Sequence, residues 1–318
     1  MYDKIRFIVY RTKGKDEFSY LSNLVDNPTR IIDEATGEIG CLNGYKRNMR
    51  VREYLWGISI EGSLTKWLHE GSNLYELTLN DAGQAIEDIS EELHTDLLKA
   101  SVTGLEFGTN IILTNTVSRY YRLLGEMPRR VRDPLSRTSL YYNRKGSRNL
   151  DQFVFYDKIV QAKKAKISIP TSLDGVNLMR VEVRFNGCLS KQLGRESVTG
   201  ATLLEQSFYA DLKSRLIEKY NSIQKIETIN IEDMTNIKKP ADAAKIFFSI
   251  LFAKSGDGQQ AIEDYLNQLK DKKVFKDRND YLRTKKQITR IIQSATISEG
   301  DPLRAELDAA FERLKLQE

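Results

Sequence analysis

The run FVFYDK, residues 153–158, decides how the middle of this chain is read. Side chains of an extended strand alternate between faces, so Phe153 and Phe155 point one way while Tyr156 and, two residues on, Lys158 point the other. Two flanking runs, VTGLEFG (residues 102–108) and LMRVEVRF (residues 178–185), are also strand-like, and each carries a single acid between apolar neighbours. The same alternation sets Glu106 against Leu105 and Phe107, and Glu182 against Val181 and Val183. Three neighbouring strands are thus expected to show a phenol, an ammonium and two carboxylates on one surface. That set suits metal-assisted phosphodiester transfer with a tyrosine nucleophile.

Around this centre the sequence reads as an α+β body followed by helices. Residues 5–10 alternate like a strand, a polar Gly- and Asp-containing stretch runs to about residue 48, and residues 49–61 read as strand structure. GSLTKWLHEGSN (residues 62–73) ends in a turn, and Asn80 or Asp81 is placed to cap a helix carrying Ile86, Ile89, Leu93 and Leu97. A short helix over residues 115–124 stops at Gly125, Pro128 and Pro134 bracket a basic loop, and NRKGSRN (residues 143–149) reads as a hairpin connection between two strands. Beyond residue 207 the apolar spacing is helical, in runs at 208–220, 241–252, 259–269, 281–293 and 303–314. The expected domains are residues 1–225, α+β, and residues 226–318, all helical.

With 318 residues, 40% of them hydrophobic, the chain can bury a substantial core. It has no apolar run long enough for a membrane helix, and its opening residues lack a signal peptide's apolar stretch, so a cytoplasmic protein without membrane contact is expected. Cys41 and Cys188 have no metal-ligand spacing and read as ordinary thiols. The net charge of +5 is concentrated: residues 117–166 hold thirteen Lys and Arg against four Asp and Glu, interleaved with Tyr120, Tyr121, Tyr141 and Tyr142. Such a stretch suits a polyanion with stackable bases. Arg129, Arg130 and Arg132 in the basic loop, and Arg144, Lys145 and Arg148 in the hairpin connection, are the expected phosphate contacts.

The ordered blocks GSLTKWLHEGSN, VTGLEFG, FVFYDK and LMRVEVRF resemble those of the gene II/X replication proteins, the rolling-circle initiators of filamentous phages and related plasmids. The likeness runs through most of residues 55–200. It implies an antiparallel initiator-endonuclease core that nicks one strand of a double-strand origin, becomes linked to the 5′ end through phosphotyrosine, and leaves a 3′-OH for a host polymerase working with a host helicase. Tyr156 matches the family's nucleophile and Lys158 its companion, while Glu106 and Glu182 match acidic metal-site positions, with Glu61 as a third carboxylate. Oxygen ligands of this kind favour Mg²⁺ or Mn²⁺.

The chain departs from the wider endonuclease superfamily in lacking a paired-histidine motif, because His69 and His94 are its only histidines. Tyr120 or Tyr121 is a candidate second tyrosine, and otherwise a homodimer would supply one. Competing readings are a DNA-binding replication or regulatory protein that keeps the fold without cleavage, and a relaxase or recombinase of a mobile element. A recombinase carries its tyrosine near the C-terminus, and a relaxase carries the clustered histidines absent here.

Overall fold

The computed structural model describes residues 1–11, 22–32, 34–133, 136, 138–144, 146, 151–226, 258–272, 274–294 and 302–316. It is a mixed α/β structure, and its chain divides into Met1–Ile226 with Leu303–Glu318 as one unit and Glu227–Pro302 as the other. The first unit is built on one ten-stranded sheet. Its strands are β1 (Tyr2–Tyr10), β2 (Asp26–Ile32), β3 (Ile39–Lys46), β4 (Met49–Tyr54), β5 (Gly57–Ser63), β6 (Ser101–Leu113), β7 (Arg130–Arg132), β8 (Ser139–Arg144), β9 (Asp151–Asp157) and β10 (Asn177–Phe185). They lie in the order β2-β3-β4-β5-β1-β6-β10-β9-β8-β7, every neighbouring pair antiparallel.

One face of the sheet carries the main core. Phe7, Ile60, Phe107, Phe155 and Val181 are fully or almost fully buried there. Each such side chain contributes about 2 kcal/mol by leaving water. Helix α2 (Leu79–Glu92) adds Ala82, Ala85, Ile86 and Ile89 to this core and turns its acidic residues outward. Its N-cap is Thr78 rather than Asn80 or Asp81: Thr78 and Asp81 form a reciprocal capping box, with Asp in the place usually held by Glu. Helix α4 (Gln206–Asn221) covers the same core with Phe208, Leu212 and Leu216.

Two further features differ from the sequence reading. The polar stretch before residue 48 contains β2 and β3. Every residue of β2 is exposed, so this edge strand buries no apolar face and leaves no alternating signal. The last helix, Pro302–Leu316, belongs to the first unit, so residues 226–318 do not form one separate module. Its Leu307, Ala310 and Phe311 enter the main core, Phe311 stacks on Tyr220 with ring centroids 3.7 Å apart, and Glu306 accepts from Tyr120 and from the Thr114 amide. The second unit shows helices Gly258–Asp271 and Arg278–Ser294, where Tyr281 donates to Asn267 at 3.1 Å. The helix expected at residues 241–252 lies outside the described residues.

Candidate active site

The opposite face of the sheet carries polar residues, and its strand order makes β6, β10 and β9 neighbours. Residues directly opposite in an antiparallel pair share a face. Arg184 lies opposite Glu106, Glu182 opposite Gly108, and Arg180 opposite Tyr156. Gly108 is required at its position: a Cβ there would sit 2.8 Å from Glu182 Cγ and 2.2 Å from the Val181 carbonyl oxygen. Its missing side chain leaves room for the Glu182 carboxylate.

Lys158 reaches this site by another route than strand alternation. β9 ends at Asp157, whose carboxylate accepts from the Val160 amide at 2.9 Å and caps helix α3 (Lys158–Lys164). Lys158 is therefore the first residue of a helix, and its Nζ lies 5.5 Å from the centroid of the Tyr156 ring. With Leu74 and Leu178, Ala162 of the same helix forms a small second core on this side of the sheet.

A residue absent from the sequence reading completes the acidic group. Asp3, Glu106 and Glu182 each offer a carboxylate oxygen, and the three oxygens lie within 4.8 Å of one another. A register shift between Tyr2 and Ile5 sends both of those residues into the main core and frees Asp3 for the polar face. Strict alternation counted back from Ile5 would have put Asp3 in the apolar core, so the bulge hid it. Two residues of the GSLTKWLHEGSN block hold Asp3 in place. Ser63, which also caps helix α1 (Leu64–Leu68), donates to it, and Asn73 donates to its other oxygen at 3.1 Å.

Glu61 lies outside this acidic group. Its carboxylate is engaged by Lys4 and by Arg6, the latter at 2.9 Å. Partial burial works to raise its pKa, but those hydrogen bonds hold it down at about 2. Asp3 rather than Glu61 thus supplies the third oxygen.

The electrostatics of the three carboxylates differ. Glu182 is fully buried, yet Arg180 at 3.0 Å and Arg184 at 2.8 Å outweigh desolvation and hold it below the usual carboxylate range. Tyr156 donates to the same carboxylate at 2.8 Å. Burial, then the Glu182 charge, push the phenol well above its ordinary value. Glu106 meets only the edge of this cationic shield, with Arg184 at 3.7 Å, and burial together with Glu182 raises it to about 7. Lys158 Nζ is buried without a hydrogen-bond partner, and desolvation lowers it to about 8.

An all-oxygen donor set fits Mg²⁺ or Mn²⁺ better than zinc, and Glu106, which would otherwise need a proton near neutral pH, has use for a cation. The histidines do not join the set: His94 is exposed, and His69 closes α1 with its ring 4.8 Å from that of Tyr75.

The basic residues divide by role. Arg130 pairs with Asp151 and also donates to its carbonyl at 2.8 Å. Arg132 donates to the carbonyls of Leu124 at 3.0 Å and Tyr121 at 3.3 Å. Both guanidinium groups brace the fold, whereas Arg129 and Arg144 are exposed. Lys145 and Arg148 lie outside the described residues. Tyr120 and Tyr121 are buried pillars bonded to Glu306 and to the Thr138 carbonyl.

No protein-family model and no curated protein sequence matches this chain.

Proposed function

We propose that this protein is a rolling-circle replication initiator of a phage or plasmid, which nicks and rejoins one strand of an origin through a 5′-phosphotyrosine intermediate on an initiator-endonuclease core. The observation that carries the reading is the 2.8 Å hydrogen bond from Tyr156 to Glu182 within the Asp3, Glu106 and Glu182 group. A buried phenol beside three carboxylates, two arginines and an unpartnered lysine exceeds what a stabilising ion pair needs. Mg²⁺ or Mn²⁺, held by those three carboxylates, would supply charge neutralisation at the scissile phosphate.

In the nicking step the Tyr156 oxygen bonds to phosphorus as the bond from phosphorus to the 3′-oxygen breaks. Glu182, held below the usual carboxylate range, orients the phenol as a hydrogen-bond acceptor, the phenolic proton is lost to water as the new bond forms, and the departing 3′-oxygen takes a proton from Lys158, whose depressed pKa suits donation near neutrality. Arg180 and Arg184 keep Glu182 oriented toward the phenol. Rejoining is the reverse, with the 3′-hydroxyl as nucleophile. The partners of this reading are origin DNA and the host polymerase and helicase, in the cytoplasm. No helix among the described residues is long and apolar enough to cross a membrane.

A second assignment of the nucleophile is favoured by exposure. Tyr156 is only 9% exposed, whereas Tyr141 of β8 is partly exposed on the same face, opposite Val154, which in turn lies opposite Glu182. Supercoiled DNA carrying the gene's flanking sequence, incubated with Mg²⁺ or Mn²⁺ and protein, tests both. Tyr156→Phe should abolish relaxed circles and Tyr141→Phe should leave them. The converse pattern moves the nucleophile to Tyr141, and binding without nicking by the unaltered protein favours a DNA-binding protein that does not cleave.

A further inference from the structure

The polar face does not end at the carboxylates. β1 and β5 run side by side away from them, with Lys4 opposite Ser63, Arg6 opposite Glu61, and Tyr10 opposite Gly57. Ser63 lies six steps along β5 from Gly57, which at ~3.3 Å per residue is roughly 20 Å. At the far end stands a group of aromatic rings. Tyr54, the last residue of β4, and Trp56, in the two-residue turn that leads into β5, stack with centroids 4.8 Å apart and planes 11° from parallel. Tyr10 lies 6.0 Å from Trp56.

Tyr10 and Trp56 are exposed, Tyr54 is partly so, and the tip that carries them is tied to the neighbouring strand. Tyr10, at the end of β1, is 66% and Trp56, in the turn, 49% exposed, high values for large aromatic side chains. The Arg11 amide donates to the Trp56 carbonyl at 3.1 Å, tying the tip of the hairpin to the end of β1. At Gly57 the two strands come so close that a Cβ would lie 2.3 Å from the Val9 carbonyl oxygen. The surface between rings and carboxylates is cationic. Across β1, β5 and β4 it shows Lys4, Arg6, Arg50 and Arg52 against Glu61.

We propose that this surface is a track for single-stranded DNA, with Tyr10, Tyr54 and Trp56 as the platform on which unpaired bases stack, several nucleotides from the scissile phosphate. The inference rests on the nicking reading for its placement, but the platform binds a strand whether or not the strand is cut. Stacked, half-exposed rings at the end of an arginine-lined sheet match a ligand with planar bases and a phosphate backbone. They match an apolar protein partner less well, since the approach to them is charged.

The test uses the full chain without divalent metal and a labelled oligothymidylate of about twenty nucleotides, longer than the ~4–16 that a single-strand-binding OB-fold covers. Affinity is read by fluorescence anisotropy at fixed salt for the unaltered protein, Tyr54→Ala with Trp56→Ala, and Trp56→Phe. The double variant should bind the single strand about tenfold or more weakly, the Phe variant nearly normally, and a duplex of the same length should change about two-fold at most. Trp56 is the exposed member of the chain's two tryptophans, Trp67 being 3% exposed, so saturating oligonucleotide should quench a component of the emission absent from Trp56→Ala. Single-strand affinity unchanged in the double variant, or lost equally for duplex, overturns the inference. So does a change in the free protein's oligomeric state with DNA affinity intact, which would make the tip a contact between copies. Absence of nicking alongside platform-dependent binding would overturn the nicking reading alone.

Discussion

The Tyr156 hydroxyl and the Glu182 carboxylate are 2.8 Å apart, and the same carboxylate is gripped by Arg180 and Arg184. Of the three groups that donate to this carboxylate, only the phenol can lose its proton, because a guanidinium stays protonated at any accessible pH and both arginines are raised further by Glu182. Removing the hydroxyl isolates that role. Tyr156→Phe should eliminate nicking while origin binding, read by electrophoretic mobility shift, stays within a few-fold. The lost hydrogen bond to a charged acceptor should lower stability by about 1.5–3 kcal/mol in denaturant unfolding. A Phe variant that still nicks would exclude Tyr156 as nucleophile.

Glu106 sets a pH dependence. Its proton is held more tightly in the folded chain than in the unfolded one, so this group's contribution to stability falls as pH rises from 4.5 to about 7 and stays low above that. Without metal, the melting temperature of the unaltered protein should therefore drop more between pH 5 and pH 8 than that of Glu106→Gln. Equal slopes for the two proteins would show that the Glu106 carboxyl is not raised.

Divalent binding should oppose the same proton. Calorimetric titration with Mn²⁺ near pH 6.5, in buffers of different ionisation enthalpy, should show proton release that disappears in Glu106→Gln. Affinity should rise with pH up to about 7, where Glu106 has lost its proton.

Asp3 and Glu61 separate the geometry of the folded chain from the pattern of its sequence. Asp3→Asn should weaken Mn²⁺ binding by about tenfold or more, the scale on which losing a ligand or its supporting partner acts. Glu61→Gln should leave it within about two-fold and cost at most about 1 kcal/mol, since its ion pairs with Lys4 and Arg6 are partly exposed. The reverse ranking would restore Glu61 to the metal site.

The arginines should divide in the same way. Arg144→Ala, an exposed site, should reduce the salt slope of DNA binding by about one. Arg130→Ala removes a partner of Asp151 and a donor to its carbonyl, so it should lower stability by about 1–3 kcal/mol and leave that slope unchanged.

How much of this could be read in the sequence depended on how regular each segment is. The strands bearing Glu106 and Glu182 alternate cleanly because one side of each packs against the core, so acids and apolar residues separate by parity. Lys158 was placed beside Tyr156 for a reason that the fold replaces: Asp157 stops the strand and starts a helix, and the ammonium arrives from there. Asp3 was hidden by a bulge that breaks the same parity. β2 gave no signal because an exposed edge strand has no apolar side. The return of the last helix rests on the Tyr220–Phe311 stack, the Tyr220–Asp308 hydrogen bond and the Glu306 contacts, pairings between residues 88 and more positions apart that no local pattern encodes.

The central claim is a covalent bond between DNA and a tyrosine of this site. The direct measurement is mass spectrometry of peptides from the protein incubated with Mn²⁺ and a single-stranded origin fragment. The account predicts one nucleotide-bearing peptide, modified at Tyr156 and absent from Tyr156→Phe. No adduct on any origin fragment, or an adduct on a tyrosine outside this face of the sheet, would contradict it.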